Sequence, residues 1–261
     1  MPRSHEPAMA DSSHMSTSNA DTTRSVGGIA EPIRRYRETY RSTEIPAGYR
    51  PILHLGFTFG AGSLALLWCI AALDTVQAVE WLTVPLAFLY ANLVEYIGHR
   101  YPMHRPYPGL KVIYRRHAGQ HHRFFTHESM PLDGLRDLRA VLFPPSLVVF
   151  FFGGFAGPIW FLLAWTVSAN VAWLFLATGL AYYLSYELLH LAYHAPDESR
   201  LGRARILARL RALHQAHHDP ELMSRCNFNI TWPLGDWLFG TFAREATERL
   251  RDRAGEHATD R

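Results

Sequence analysis

Between Val141 and Tyr186 the chain runs for 46 consecutive residues without a charged side chain. As helix, such a run is about 69 Å long, enough for two passes through a hydrocarbon core of about 30 Å. The mean hydropathy of -0.08 hides this segregation of polar and apolar residues. A soluble globular enzyme is an unlikely home for such a stretch, and the rest of the sequence is best read around a membrane.

Ile52 to Leu73 forms an earlier stretch of 22 uncharged residues, and Trp81 to Ile97 a second, interrupted by Asn92 and Glu95. The long run divides near Thr166 to Asn170; GGFAGP at 153–158 offers another break, and Pro144–Pro145 a kink. Four crossings result, with the N-terminus, the 98–139 loop and the C-terminal region on one side. Lys and Arg number 7 in residues 1–50, 8 in 98–139 and 11 in 195–261, which is all 26 of them. By the positive-inside rule that side is cytoplasmic. Trp81, Trp165 and Trp173 then fall near the opposite interface. The expected fold is all-α and integral to the membrane: four transmembrane helices, a cytoplasmic histidine-rich helical cap and both termini cytoplasmic. A bacterial inner membrane and an endoplasmic reticulum both fit.

Residues 1–45 read as a disordered polar tail, rich in Ser, Thr and Asp up to residue 28, with a short surface helix over EPIRRYRETYRS at 31–42. Residues 46–243 form the membrane-embedded domain and 244–261 a charged tail. A net charge of +3 without a long basic run gives no support for nucleic-acid binding. Two isolated cysteines, Cys69 and Cys226, supply neither a disulfide framework nor a thiolate metal site. The Arg-rich stretch 200–213 is expected to lie against headgroups, with Leu201, Ile206, Leu207, Leu210 and Leu213 turned inward.

Ten of the 15 histidines fall in four short windows: His99 and His104; His117, His121 and His122; His190 and His194; His214, His217 and His218. Two windows follow the second span and two follow the fourth, so four apolar helices would gather them at one face. His190 and His194 are spaced i,i+4, and the pairs within 117–122 and 214–218 share helical faces. His99 and His104, at i,i+5, diverge on a regular helix and converge only if the chain breaks at Pro102. Three or four ligands satisfy one zinc, so ten imidazoles suit two metals with about five ligands each. Imidazole accepts iron, zinc and copper alike. A thiolate-free site at the cytoplasmic membrane face suits a redox metal, and iron is the choice, with zinc as an isolation artefact. His5, His14, His54 and His257 read as ordinary tail or packing residues.

The order HRYPMH, HAGQHH, HLAYH, HQAHH, with spans between the second and third boxes, resembles the fatty acid hydroxylase and sterol desaturase superfamily of integral membrane di-iron enzymes. RCNFNITWPLGDWLFGTF at 225–242 is similar to the Asn-Phe segment and ending of that family, although it reads Gly-Asp-Trp where Trp-Asp is commoner. The resemblance covers roughly residues 85–242. In HAGQHH three residues separate His117 from His121, where the usual box has two, so His127 is an alternative to His117.

The resemblance implies a di-iron monooxygenase that uses O2 and external electrons to hydroxylate a lipid C–H bond, an acyl chain most plausibly. Desaturation from the same site is a close variant, and a zinc-dependent membrane hydrolase is an alternative of another class. With no GxGxxG and no cysteine cluster, electrons are expected from a separate ferredoxin or cytochrome-type donor on the basic face. Glu95 and Glu187, four and three residues before a histidine, are expected to accept a hydrogen bond from a ligand's second ring nitrogen. Asp219, Asn227 and Asn229 are further auxiliary candidates, with turn formation as their plainer reading.

Overall fold

The computed structural model describes residues 29–244 and is helical throughout, with no strand among the described residues. The expected tails over 1–28 and 245–261 lie outside the described residues. Residues 31–43 do not belong to a disordered tail: they form α1 (Glu31–Thr43), opened by Pro32 and packed on the cap through buried Arg37 and Tyr40.

Four longer helices follow. Helix α2 (Pro51–Ala71) and α3 (Thr83–Gly98) are joined by a short turn; α4 (Lys111–Arg116) lies in the cap; α5 (residues 145–166) and α6 (Ala169–Tyr193) cover most of the uncharged run. Pro144 precedes the first residue of α5, so the Pro–Pro pair starts this helix instead of kinking it. GGFAGP falls at a widened turn, Phe152–Ala156, without ending the helix. The chain turns where Ser168 caps α6 by accepting the Val171 N–H at 3.1 Å. Helix α7 (Ala208–His217) completes the cap, and α8 (Leu234–Leu238) packs beside α3.

Among the described residues, two stretches are long and apolar enough to cross a membrane, Pro51–Ala71 and Leu135–Thr166, where the sequence suggests four. The other two candidates fall short for different reasons. Helix α3 has only 16 residues and carries Asn92 and Glu95. Helix α6 has 25, but Asn170, Tyr182, Tyr183, Tyr186 and Glu187 dilute its apolar character. It is also the hub of the bundle, packing along α2, α3 and α5. Gly62 of α2 permits the close approach: a Cβ there would meet the Leu184 side chain at 2.8 Å.

The outward faces of these helices carry exposed Leu53, Leu64, Trp68, Leu86, Leu89, Phe161 and Trp165. At one end the two short connections are tied together, Asn170 accepting from the Asp74 N–H at 3.0 Å and Ser168 donating to Glu80 at 2.5 Å. The histidines gather at the other end, where α3 and α6 terminate. In the Arg-rich stretch the helix begins only at Ala208; Leu213 is buried and Leu207 and Leu210 pack inward, whereas Ile206 and Leu201 are exposed, contrary to expectation.

Candidate metal centre

Helix α3 runs into His99 and His104, α4 into His117, His121 and His122; α6 supplies His190 and His194, and α7 supplies His214, His217 and His218. The i,i+5 pairs are resolved by local backbone. His99–Met103 and His117–His121 are both π-helical turns, which carry an extra residue and so bring i and i+5 to one face. Pro102 sits inside the first: it widens the helix, whose missing N–H the wide turn tolerates, where a break was expected. The second absorbs the additional residue of HAGQHH. As a result the His99 and His104 rings lie 5.1 Å apart, and the Nε2 atoms of His117 and His122 3.0 Å apart.

All ten imidazoles are buried, none more than 8% exposed. His99, His104, His117, His122 and His217 form one group with ligand atoms within 4.8 Å of one another, and His121, His194, His214 and His218 form a second. His190 joins the latter, its Nε2 lying 3.2 Å from that of His121. His127 belongs to neither group; its carbonyl accepts from Gln215 at 2.7 Å.

Backbone carbonyls orient the rings. Nδ1–H of His121 donates to Ala140 at 2.8 Å, that of His218 to Phe125 at 2.6 Å, that of His194 to Met130 at 2.9 Å and that of His217 to Cys226 at 2.9 Å. His99 donates in the same way to the Phe228 carbonyl. A proton committed to Nδ1 leaves Nε2 of a neutral ring with a bare lone pair. Yet the Nε2 atoms of His121 and His218 face each other at 3.2 Å. Two lone pairs pointed together repel unless a cation lies between them, so the donor set fits a metal.

Burial in each other's company pushes these histidines far below the usual imidazole value: desolvation is the main cause, with mutual repulsion of their charged forms added for most. His121 and His217 fall to about 4 and His104 to about 2, and His117, His122, His214 and His218 are lowered too. At neutral pH the rings are therefore uncharged.

The carboxylates play a different part from the one expected. Neither Glu95 nor Glu187 accepts a bond from a histidine. Glu95 instead takes the N–H groups of Ile230 at 2.5 Å and Thr231 at 3.2 Å, the Thr231 hydroxyl at 2.7 Å and the Tyr182 hydroxyl. Glu187 accepts the Phe143 N–H at 3.1 Å. The ring nitrogens point at carbonyls because those lie directly behind them, while the carboxylates face amides. Asn229 donates to Asn92 O and Glu95, and Asn227, at φ 56°, donates to Leu213 O, tying α7 to the C-terminal segment. Asp219 accepts from the Glu221 N–H at 2.8 Å and is a turn residue.

Two supporting residues were not among the expected site residues, although Asp236 lies in the family-like ending. Arg37 of α1, 1% exposed, donates to the carbonyls of Phe124, Ser129 and Pro131 at 2.8, 2.7 and 3.2 Å, bracketing the carbonyls that hold His218 and His194. Asp236 of α8, fully buried, accepts from the N–H groups of Phe228 at 2.9 Å and Asn229 at 2.8 Å and from the Thr241 hydroxyl at 2.7 Å. His54, read as ordinary packing, is buried between Tyr49 and the Phe143 carbonyl, each at 2.9 Å. Beside His117, His121 and His190 opens a narrow cleft of about 30 Å³, walled by Leu142, Phe143, Leu147 and Tyr186 at the foot of α5.

The sequence profile of the fatty acid hydroxylase family matches residues 84–241, more than half of the chain and all four histidine windows. No curated protein matches the chain. A solved structure titled full-length Scs7p, in which only the hydroxylase domain is visible, is similar at 22% identity and a TM-score of 0.48, covering 74% of this chain and 65% of that one. The chain thus spans just under two thirds of that protein's length.

Proposed function

The chain belongs to the fatty acid hydroxylase family, and from that premise we propose that it is a membrane-bound non-haem di-iron monooxygenase that hydroxylates a C–H bond of a lipid, an acyl chain first of all. The convergence of ten buried imidazoles in two groups of five, with paired lone pairs at 3.2 Å, is the observation that supports the reading most strongly. His99, His104, His117, His122 and His217 would hold one iron, and His121, His190, His194, His214 and His218 the other. Bound iron supplies the O2 activation that no side chain can perform.

The protein's own contribution is orientation and dryness. Carbonyls of Phe228, Cys226, Ala140, Met130 and Phe125 fix the tautomers of His99, His217, His121, His194 and His218, so that their Nε2 atoms face inward. Leu142, Phe143, Leu147 and Tyr186 line the narrow apolar cleft beside His121 and His190, which would open wider to admit an apolar chain to the second group. In this reading α2, α3, α5 and α6 cross the bilayer, with the cap and both termini cytoplasmic. Exposed Arg105, Lys111, Arg115 and Arg123 give a ferredoxin or cytochrome-type donor a complementary surface.

Protein purified in detergent is expected to carry two irons, and its lipid product to contain oxygen from isotopically labelled O2. His121→Ala or His218→Ala should abolish product while the protein still reaches the membrane. Bound zinc with O2-independent turnover would instead identify a hydrolase, and an alkene without label a desaturase.

A further inference from the structure

If α3 crosses the bilayer, as the proposed function holds, the C-terminal segment next to it lies at membrane depth. The segment descends along α3 and then returns: Ile230 and Thr231 bond Glu95, the Trp232 carbonyl accepts from Asn92 at 2.7 Å, the Trp232 ring lies 6.4 Å from that of Phe88, and Phe239 comes back to stack on Tyr96 with centroids 4.8 Å apart. From Tyr96 to Phe88 is about 12 Å along a helix axis.

Chain that is not continuous helix survives at such depth only where its polar groups are satisfied by protein. Here they are. Asn92 accepts the Gly235 N–H at 3.2 Å, Glu95 takes the Ile230 and Thr231 N–H groups, and Asp236 takes those of Phe228 and Asn229. This gives Asn92 and Glu95, the two polar interruptions of the second span, a common purpose. Gly235 allows the close approach, since a Cβ there would meet Asn229 Oδ1 at 2.6 Å and Tyr96 Cβ at 2.8 Å.

The opposite face of the segment is apolar and open. Leu238 is 74% exposed and Trp237 60%, with Trp232 and Phe239 about half exposed. Asp236 is the only charged residue from Cys226 to Ala243, and it is fully buried. This face continues the exposed apolar surface of α3, formed by Leu86, Leu89, Leu93 and Val94.

We propose that residues 228–239 form a re-entrant segment whose Trp232, Trp237, Leu238 and Phe239 side chains contact the lipid of the bilayer, while its inner face holds His99 through the Phe228 carbonyl. The occupant is phospholipid, because the surface is continuous with a lipid-facing helix and carries no exposed charge. The membrane thereby becomes part of what positions the first histidine group.

Spin labels at Leu238→Cys, Leu89→Cys and Glu38→Cys in phosphatidylcholine proteoliposomes test this, since native Cys69 and Cys226 are buried. Position 238 should match position 89, with accessibility to O2 several-fold above that to a water-soluble nickel complex, and position 38 should show the reverse. Should 238 behave like 38, or be shielded from both probes by another protein surface, the proposal is overturned while the spans stand. A water-exposed position 89 would instead sink the membrane-spanning reading itself. If Leu238→Cys does not fold, quenching of native tryptophan by brominated phosphatidylcholine decides: Trp237→Phe must remove part of the quenched emission, and no change refutes lipid contact.

Discussion

Residues 124–131 and residues 226–231 both present backbone carbonyls to metal-site histidines, and they are clamped by opposite charges. In the first, the Arg37 guanidinium gathers the carbonyls of Phe124, Ser129 and Pro131, leaving those of Phe125 and Met130 free for His218 and His194. In the second, the carboxylates of Glu95 and Asp236 gather four N–H groups from residues 228–231, which leaves the Phe228 and Cys226 carbonyls for His99 and His217. A backbone has both donors and acceptors. Either can be tied down by a buried charge so that the other kind, or the remaining members of the same kind, orient the ligands. Each histidine group thus depends on a charge that touches no metal ligand.

Acid should act on both histidine groups at once. The buried imidazoles resist protonation in the folded chain, whereas the unfolded chain binds protons near pH 6.5, so stability rises with pH and is lost as pH falls below about 6.5. For His121 and His217, both shifted to about 4, the loss by pH 4 is roughly 3 kcal/mol each. Iron-free protein should therefore melt at steadily lower temperature from pH 7 to pH 4.5. A flat profile across that range would mean the rings are not buried as neutral bases.

Next in size is Arg37→Ala. It strips the donor from three carbonyls, and breaking a buried charged network of this kind costs about 3–5 kcal/mol. The expected readout is a lower melting temperature together with iron content falling from two per chain towards one. Adding His218→Ala should cost no further iron, because that group is already lost, whereas adding His99→Ala should remove the remainder. Equal losses from both groups would show that the two clamps are not independent.

Glu95→Gln is the matching change on the other side. The side chain keeps its size but loses its charge, and hydrogen bonds to a charged group are worth about 1.5–3 kcal/mol. Since Asp236 still holds Phe228 and Asn229, the expected cost is about 2 kcal/mol. Iron should now be lost from the group containing His99, so the double variant with His99→Ala should resemble the single one.

Much of the site was legible because metal ligation imposes spacing on side chains. His190 with His194, and His214 with His217 and His218, announce themselves as helical faces. The partners of the rings were not legible, because they are carbonyls, and every residue has one. Carboxylates near the boxes drew attention for that reason, yet Glu95 and Glu187 face amides. Arg37 sits among Arg34, Arg35 and Arg41 in a helix that reads as surface, and only the fold distinguishes the one arginine that is buried. Widened turns at His99 and His117 escaped notice because a π turn leaves no mark beyond a spacing that looks wrong for an α-helix. The span count differed for a related reason: α3 and α6 spend apolar positions on polar residues that serve the cap and the turns.

The smallest effect is expected where the second clamp meets α3. Gly235 has no room for a Cβ, but the atoms in its way include a movable one, Asn229 Oδ1, besides the Cβ of Tyr96. Overpacking of this kind costs about 1–3 kcal/mol. Gly235→Ala should therefore shift α8 outward and lengthen the bond from Gly235 to Asn92, without disturbing residues 124–131. Iron bound by the His121 group should be fully retained, and the His99 group should release its iron faster to a chelator. If instead both groups release at the wild-type rate, the C-terminal segment tolerates displacement and Glu95 alone is enough to hold it.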